Sequence, residues 1–256
     1  MNNRMSIFKW FVILLFCFPV LAQEDQWLKT RSEQIFEFKG AKSIRVVNSY
    51  GDIRVKKAPY KDRFLLIGNV QQKKEDTCKL EYDPVLKGEE VLVNVTLSSQ
   101  TEDKKEDTLP RRVDLSILVP VDWECEFETQ SGKIDARDMI ASIKANSFSG
   151  RIYIRTAGVA KCINRQGATV VYLTDQKALS SSFESITGDI EVGLSSKSDC
   201  QITASTTGQI SSDFSMTIDR QPGSTIKHMK ILMGKETAQL AIKSKHGKVK
   251  VLHHEP

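Results

Sequence analysis

A chain of 256 residues with 40% hydrophobic, 27% charged and only 7% aromatic residues is long enough for one or two modules with sizeable cores. Its formal net charge of +5 comes from interspersed residues of both signs, which excludes the basic stripe that tracks a phosphate backbone. Nucleic acid is therefore not an expected partner. The cysteines form no C-x-x-C pair and no zinc-ligand spacing.

The first 22 residues read as a signal peptide. Arg4 and Lys9 supply a positive region, Trp10 to Phe18 form an apolar run, and Pro19 breaks it. Val20-Leu21-Ala22 has the small residues of a cleavage site, and the run is shorter than the roughly 20 residues a spanning helix needs. An uncleaved N-terminal anchor is the alternative. Cleavage after Ala22 would lower the net charge by two and leave no transmembrane segment in the mature chain. Export to the periplasm, the outer cell surface or the extracellular space is expected.

Residues 23–34 read as a linker, and 35–128 as an N-terminal β part of irregular antiparallel or mixed pairing. Alternation predicts strands at 35–38, 43–47, 64–70, 79–82, 91–97 and 113–119, separated by polar turns. Residues 98–112 are charged, lack apolar periodicity and read as a solvated hairpin loop or a mobile insertion.

From 129 to 252 the chain repeats. A small or polar residue, a glycine and an alternating strand recur at Gly132, Gly150, Gly188, Gly208 and Gly247, with an early copy at Gly51 and a degenerate one at Gly167. Between Gly132 and Gly208 the glycine spacings are 18, 17, 21 and 20, a period of about 20 that suits the coil of a β-solenoid. The gap of 39 from Gly208 to Gly247 suggests a copy that lost its motif, around 223–233. Each glycine is expected to supply a positive φ or a close backbone approach. Ile134, Ile152, Ile190, Ile210 and Val249 should face inward. Lys133, Arg151, Asp189, Gln209 and Lys248 should face outward. The fold class is thus all-β, a repetitive solenoid-like stack joined to a more irregular N-terminal part. Residues 253–256 form a polar tail.

These repeats carry an ordered resemblance. The segments 47–55, 113–120, 131–134 with its later copies, and 240–249 resemble the bacterial putative-adhesin family, an adhesin-like domain of unknown function, over most of 35–252. The resemblance implies an exported β-solenoid-like domain of a bacterial envelope or of the extracellular space, and brings no catalytic residues.

Counted from the preceding glycines, Cys162 and Cys200 fall in one column with Ile143 and Leu179, which reads as a buried apolar column. Two coils would separate them by roughly 9.6 Å, beyond disulfide reach. A Cys78–Cys125 bridge stays open. Asp135, Asp189 and Glu191 occupy outward positions without a marked pair of the kind a glycosidase needs. His253-His254-Glu255 reads as a polar tail. No catalytic, cofactor or metal residue is assigned. Lys133, Arg151, Tyr153, Lys248 and Lys250 are the candidate surface contacts. The expected function is non-catalytic binding, through an unknown envelope protein or glycan, or a structural scaffold. A carbohydrate-active β-helix enzyme is the alternative.

Overall fold

In the computed structural model, residues 27–74, 79–98, 111–175, 180–236 and 238–255 are described. The signal segment, Cys78, Leu179 and residues 99–110 of the charged loop lie outside them. Alternation of apolar and polar side chains dictates strands nearly throughout, and no helix occurs among the described residues. The N-terminal part contains β1 (Trp27–Glu37), β2 (Ser43–Val47), β3 (Ile53–Ala58) and β4 (Arg63–Lys73). It continues with β5 (Lys79–Tyr82), β6 (Val85–Lys87), β7 (Glu90–Ser98) and β8 (Arg112–Pro120). The repeats follow as β9 (Glu124–Thr129), β10 (Ile134–Met139), β11 (Ile143–Ser147), β12 (Ile152–Thr156) and β13 (Ala160–Asn164). Next come β14 (Thr169–Leu173), β15 (Ser180–Ser185), β16 (Ile190–Leu194), β17 (Cys200–Thr206) and β18 (Ile210–Ser212). The last are β19 (Thr217–Asp219), β20 (Lys227–Met233), β21 (Ala238–Ser244) and β22 (Val249–His253).

Two sheets run the length of the molecule. Sheet A has ten strands in the order β1-β4-β8-β3-β10-β12-β14-β16-β22-β18. Sheet B has the order β19-β20-β17-β21-β15-β13-β11-β9-β2-β7-β5, with β6 beside β7. Each coil gives one strand to sheet B, turns at its glycine and gives the next strand to sheet A. Neighbouring coils pair in parallel. The same two sheets pass through both the N-terminal part and the repeats. Most of the segment read as a linker belongs to β1, which pairs antiparallel with β4 over its whole length.

The coils do not stack in chain order. The β2–β3 coil lies between β7–β8 and β9–β10. At the other end, β21–β22 lies between β15–β16 and β17–β18. This corrects the expectation of a lost copy near 223–233. That stretch lies in the β19–β20 region, whose two strands pair antiparallel and cap sheet B. The 39-residue gap arises because the chain leaves the stack and returns one coil earlier.

The seven motif glycines form one column in the spatial order Gly51, Gly132, Gly150, Gly167, Gly188, Gly247, Gly208. At each one after Gly51, a Cβ would collide with the carbonyl oxygen of the preceding glycine. None has a positive φ, so close approach is the reason for glycine here. Gly167 is a full member of the column, although Gln166 replaces the preceding Ser or Thr.

A second column supports the first. Thr129, Ser147, Asn164, Ser185 and Ser244 stand three residues before their glycines, and each accepts a hydrogen bond from that glycine's N–H. Thr206 does the same from two residues before Gly208. Several also donate to the glycine carbonyl of the preceding coil, as Asn164 Nδ2 does to Gly150 O at 2.8 Å and Thr206 Oγ1 to Gly247 O at 2.7 Å. Turn backbone that would be buried without partners is satisfied this way.

Inward residues pack between the sheets. Ile134, Ile152, Ile190 and Val249 are fully buried, whereas Ile210 on the short edge strand β18 is half-buried. In sheet B one inward row reads Val46, Phe127, Ala145, Cys162, Phe183, Ile242, Ala204. Large and small residues share this row, so Cys162 fills a gap beside Phe183. The adjacent row holds Ile44, Cys125, Ile143 and Ala160. Cys200 lies outside both rows, opposite Ala238. The single cysteine column expected from the sequence is therefore corrected: Cys162 and Cys200 lie in different rows, three coils apart. Cys125, Cys162 and Cys200 are free and buried. Among the described residues no helix is long and apolar enough to cross a membrane.

Candidate functional site

Because the inward positions are used for packing, chemistry addressed to a partner has to come from the outward rows. The outer face of sheet A gathers every candidate contact residue. Lys133, Arg151 and Lys248 immediately precede β10, β12 and β22 and share one row with Ala168 and Asp189. The next row runs Asp135, Tyr153, Val170, Glu191, Lys250. Lys133 and Arg151 are neighbours, one inter-strand step of about 4.8 Å apart. Tyr153 and Lys250 are three steps apart, or roughly 14 Å.

Tyr153 sits at the centre of an ordered string of side chains. Asp135 accepts two hydrogen bonds from Arg137, at 2.7 and 2.8 Å. The Arg137 guanidinium lies 4.7 Å from the centre of the Tyr153 ring, a cation–π contact. Tyr172 follows, with ring centroids 5.8 Å from Tyr153 and 4.4 Å from His254. The Tyr172 ring occupies space that a side chain at position 193 would need, so Gly193 makes its bed. Its hydroxyl donates to Glu191 at 3.2 Å. Burial, and then the charge of Glu191, push the Tyr172 hydroxyl above its ordinary pKa and keep it a donor.

Beside this string lies a depression of about 390 Å³ lined by Ala168, Val170, Asp189, Glu191, Lys248 and Lys250, among others. Its floor is small and apolar, and its walls carry both charges. Glu191 meets Lys250 at 4.0 Å. Asp189 accepts a bond from the Lys248 N–H at 2.7 Å. By contrast, the side chains of Lys133, Arg151 and Lys248 have no ion-pair partner among the described residues. Fixed aromatic rings and unpaired cations therefore share one rigid face.

The three carboxylates noted in the sequence do not converge. Asp135 and Glu191 stand three strands apart, roughly 14 Å, with Tyr153 and Val170 between them. Asp189, just before β16, and Glu191 within it are two residues apart, but both are engaged as described. Among the described residues no group of three or more His, Cys, Asp or Glu side chains could hold a metal ion. His253 bonds Glu255 at 2.9 Å, while His254 belongs to the aromatic string.

Tyr172 and His254 are the aromatic side chains of this face that sequence reasoning did not place on it. Tyr172 stands five residues after Gly167, and Gly193 stands five after Gly188. That aromatic-beside-glycine signature becomes visible once the two coils are aligned.

No family model and no curated protein matches the chain. Solved structures with a similar course include a "putative cell adhesion protein" of Clostridium sporogenes, at 11% identity and a TM-score of 0.46, covering 89% of this chain and 100% of that one. A "putative adhesin" of Bacteroides fragilis has 8% identity and a TM-score of 0.34, covering 87% and 97% of the two chains. Another from Parabacteroides distasonis has 9% identity and a TM-score of 0.29, with the same coverage of 87% and 97%.

Proposed function

We propose that this chain is an exported, non-catalytic protein of the adhesin-like kind, acting at the cell envelope or outside the cell through the outer face of sheet A. One observation carries the reading. The unpaired cations Lys133, Arg151 and Lys248 share a flat, rigid face with the Tyr153–Tyr172–His254 string. Solenoids suit this use, because a stack of coils holds side chains at fixed spacing over a long surface. An acidic envelope glycan fits best. Tyrosine rings present apolar faces to the C–H faces of sugar rings, and the cations meet carboxylates or phosphates.

Binding to immobilised acidic and neutral polysaccharides tests this, with a reducing-end assay run alongside. The expected outcome is retention on the acidic material that weakens with salt, without new reducing ends. Release of sugar fragments would replace the reading with the enzymatic one.

A further inference from the structure

We propose that the protein forms a two-fold dimer by pairing β1 with β1 of a second copy, joining two copies of sheet A edge to edge. Sheet A extends two strands, β4 and β1, beyond its last coil strand β8, whereas sheet B extends a single layer, β5 and β6, beyond β7. Strand β1 is thus the outermost strand of sheet A, and β5 reaches its inner face through Tyr82, whose hydroxyl meets the Ser32 hydroxyl at 2.6 Å and whose ring stands edge-on to Phe36. Among the described residues its far edge has no paired strand, although it is eleven residues long and regular. An open edge of that length is a template for another strand.

The sequence of β1 specifies the partner. Register with β4 and β8 puts Trp27, Lys29, Arg31, Glu33, Ile35 and Glu37 on the outer face, and Leu28, Thr30, Ser32, Gln34 and Phe36 on the inner one. An antiparallel pair about a two-fold axis at Ser32 sets all eleven residues opposite partners on the matching face. Arg31 then faces Glu33 of the second copy, twice. Leu28 faces Phe36, twice, on the inner side, where Leu28 is 41% exposed in the single chain. Thr30 faces Gln34. No like charges meet. Moving the axis to residue 31 or 33 sets Arg31 against Arg31 or Glu33 against Glu33. A parallel in-register pair does both. Moving it by half a residue opposes inner and outer side chains. Arg31 and Glu33 now pair within one strand at 3.0 Å, and they can exchange partners without losing a charge contact.

Sedimentation of the purified chain across a concentration series, with variants, tests the pairing. The wild type is expected to dimerise. Arg31→Glu and Glu33→Arg should each weaken the dimer about tenfold or more, since two attractive pairs become repulsive. The double variant R31E/E33R should restore it. Ser32→Cys should give a covalent dimer on oxidation, because directly opposed residues in antiparallel strands have Cα atoms about 4.5–5.5 Å apart, within disulfide reach. A wild type that stays monomeric, a dimer indifferent to both charge reversals, or a Ser32→Cys variant that does not cross-link would each overturn the proposal.

Discussion

At the scale of single residues, two kinds of position matter most: those where no side chain fits and those where a polar one must. The glycine column is the first kind. Gly150→Ala places a methyl group against Gly132 O, and only backbone can move aside. The expected cost is about 1–3 kcal/mol or more, read from the denaturation midpoint. Asn164→Ala removes the partner of both Gly167 N–H and Gly150 O and should cost about 1–3 kcal/mol. Thr169 is the exception within the core. It stands in an inward row that, from β8 to β18, is otherwise built of Ile, Leu and Val, and its hydroxyl is buried with no hydrogen-bond partner. Thr169→Val keeps the shape and removes that orphan, so a gain of about 1 kcal/mol is expected. The glycines were legible in the sequence as a recurring motif. The column three residues before them is equally present in the sequence, but its residue types (Thr, Ser and Asn) are the same as those of surface positions, so only its buried hydrogen bonds to the glycines set it apart.

Burial also fixes the state of the thiols. It raises Cys125 to about 12 and Cys200 to about 11, and pushes Cys162 upward as well. In the unfolded chain these groups ionise near pH 8.5–9. Their contribution to stability is therefore complete below that pH and is lost as pH rises toward 11–12. Native protein at pH 8 should resist alkylation at all three until it is unfolded, as mass spectrometry of the labelled peptides can check.

At the scale of elements, register was half legible. The repeat strands and their inward faces followed from alternation, whereas most of β1 read as a linker because its side chains are polar on both faces. The cysteine column did not follow, because it was counted forward from each glycine, across corners of unequal length. Counted backward from the following glycine, the path crosses only the short corner after the strand and has one length in these coils. Val46, Phe127, Ala145, Cys162, Phe183 and Ile242 then all stand five residues before a glycine, matching the observed row. Tyr153 was legible as an outward residue, but the part of Tyr172 was hidden for a related reason: only lateral alignment reveals that its ring on one coil lies over Gly193 on the next.

At the scale of the whole molecule, the departure from chain order could not be read from periodicity. A missing copy and a detour produce the same gap in the sequence. The physical difference is where the last residues go. A terminal coil at the end of a stack frays, whereas β21–β22 is covered on both sides. Amide hydrogen exchange should therefore find Leu240, Ile242, Val249 and Val251 as slow as Ile152 and Ile154 in the middle of the stack. Fast exchange of these four amides would contradict the inserted position.

The division between inward and outward rows also organises function, since the repeat builds the core and leaves the two outer faces to differ. Sheet B carries an adjacent cation pair, Lys144 and Lys161, at the same inter-coil spacing as Lys133 and Arg151 on sheet A, but away from the tyrosines. The most direct measurement compares affinity for an acidic envelope polysaccharide among the wild type, K133E/R151E and K144E/K161E. A loss of about tenfold or more confined to K133E/R151E is expected. Equal losses in both variants, or no loss in either, would contradict binding by the outer face of sheet A.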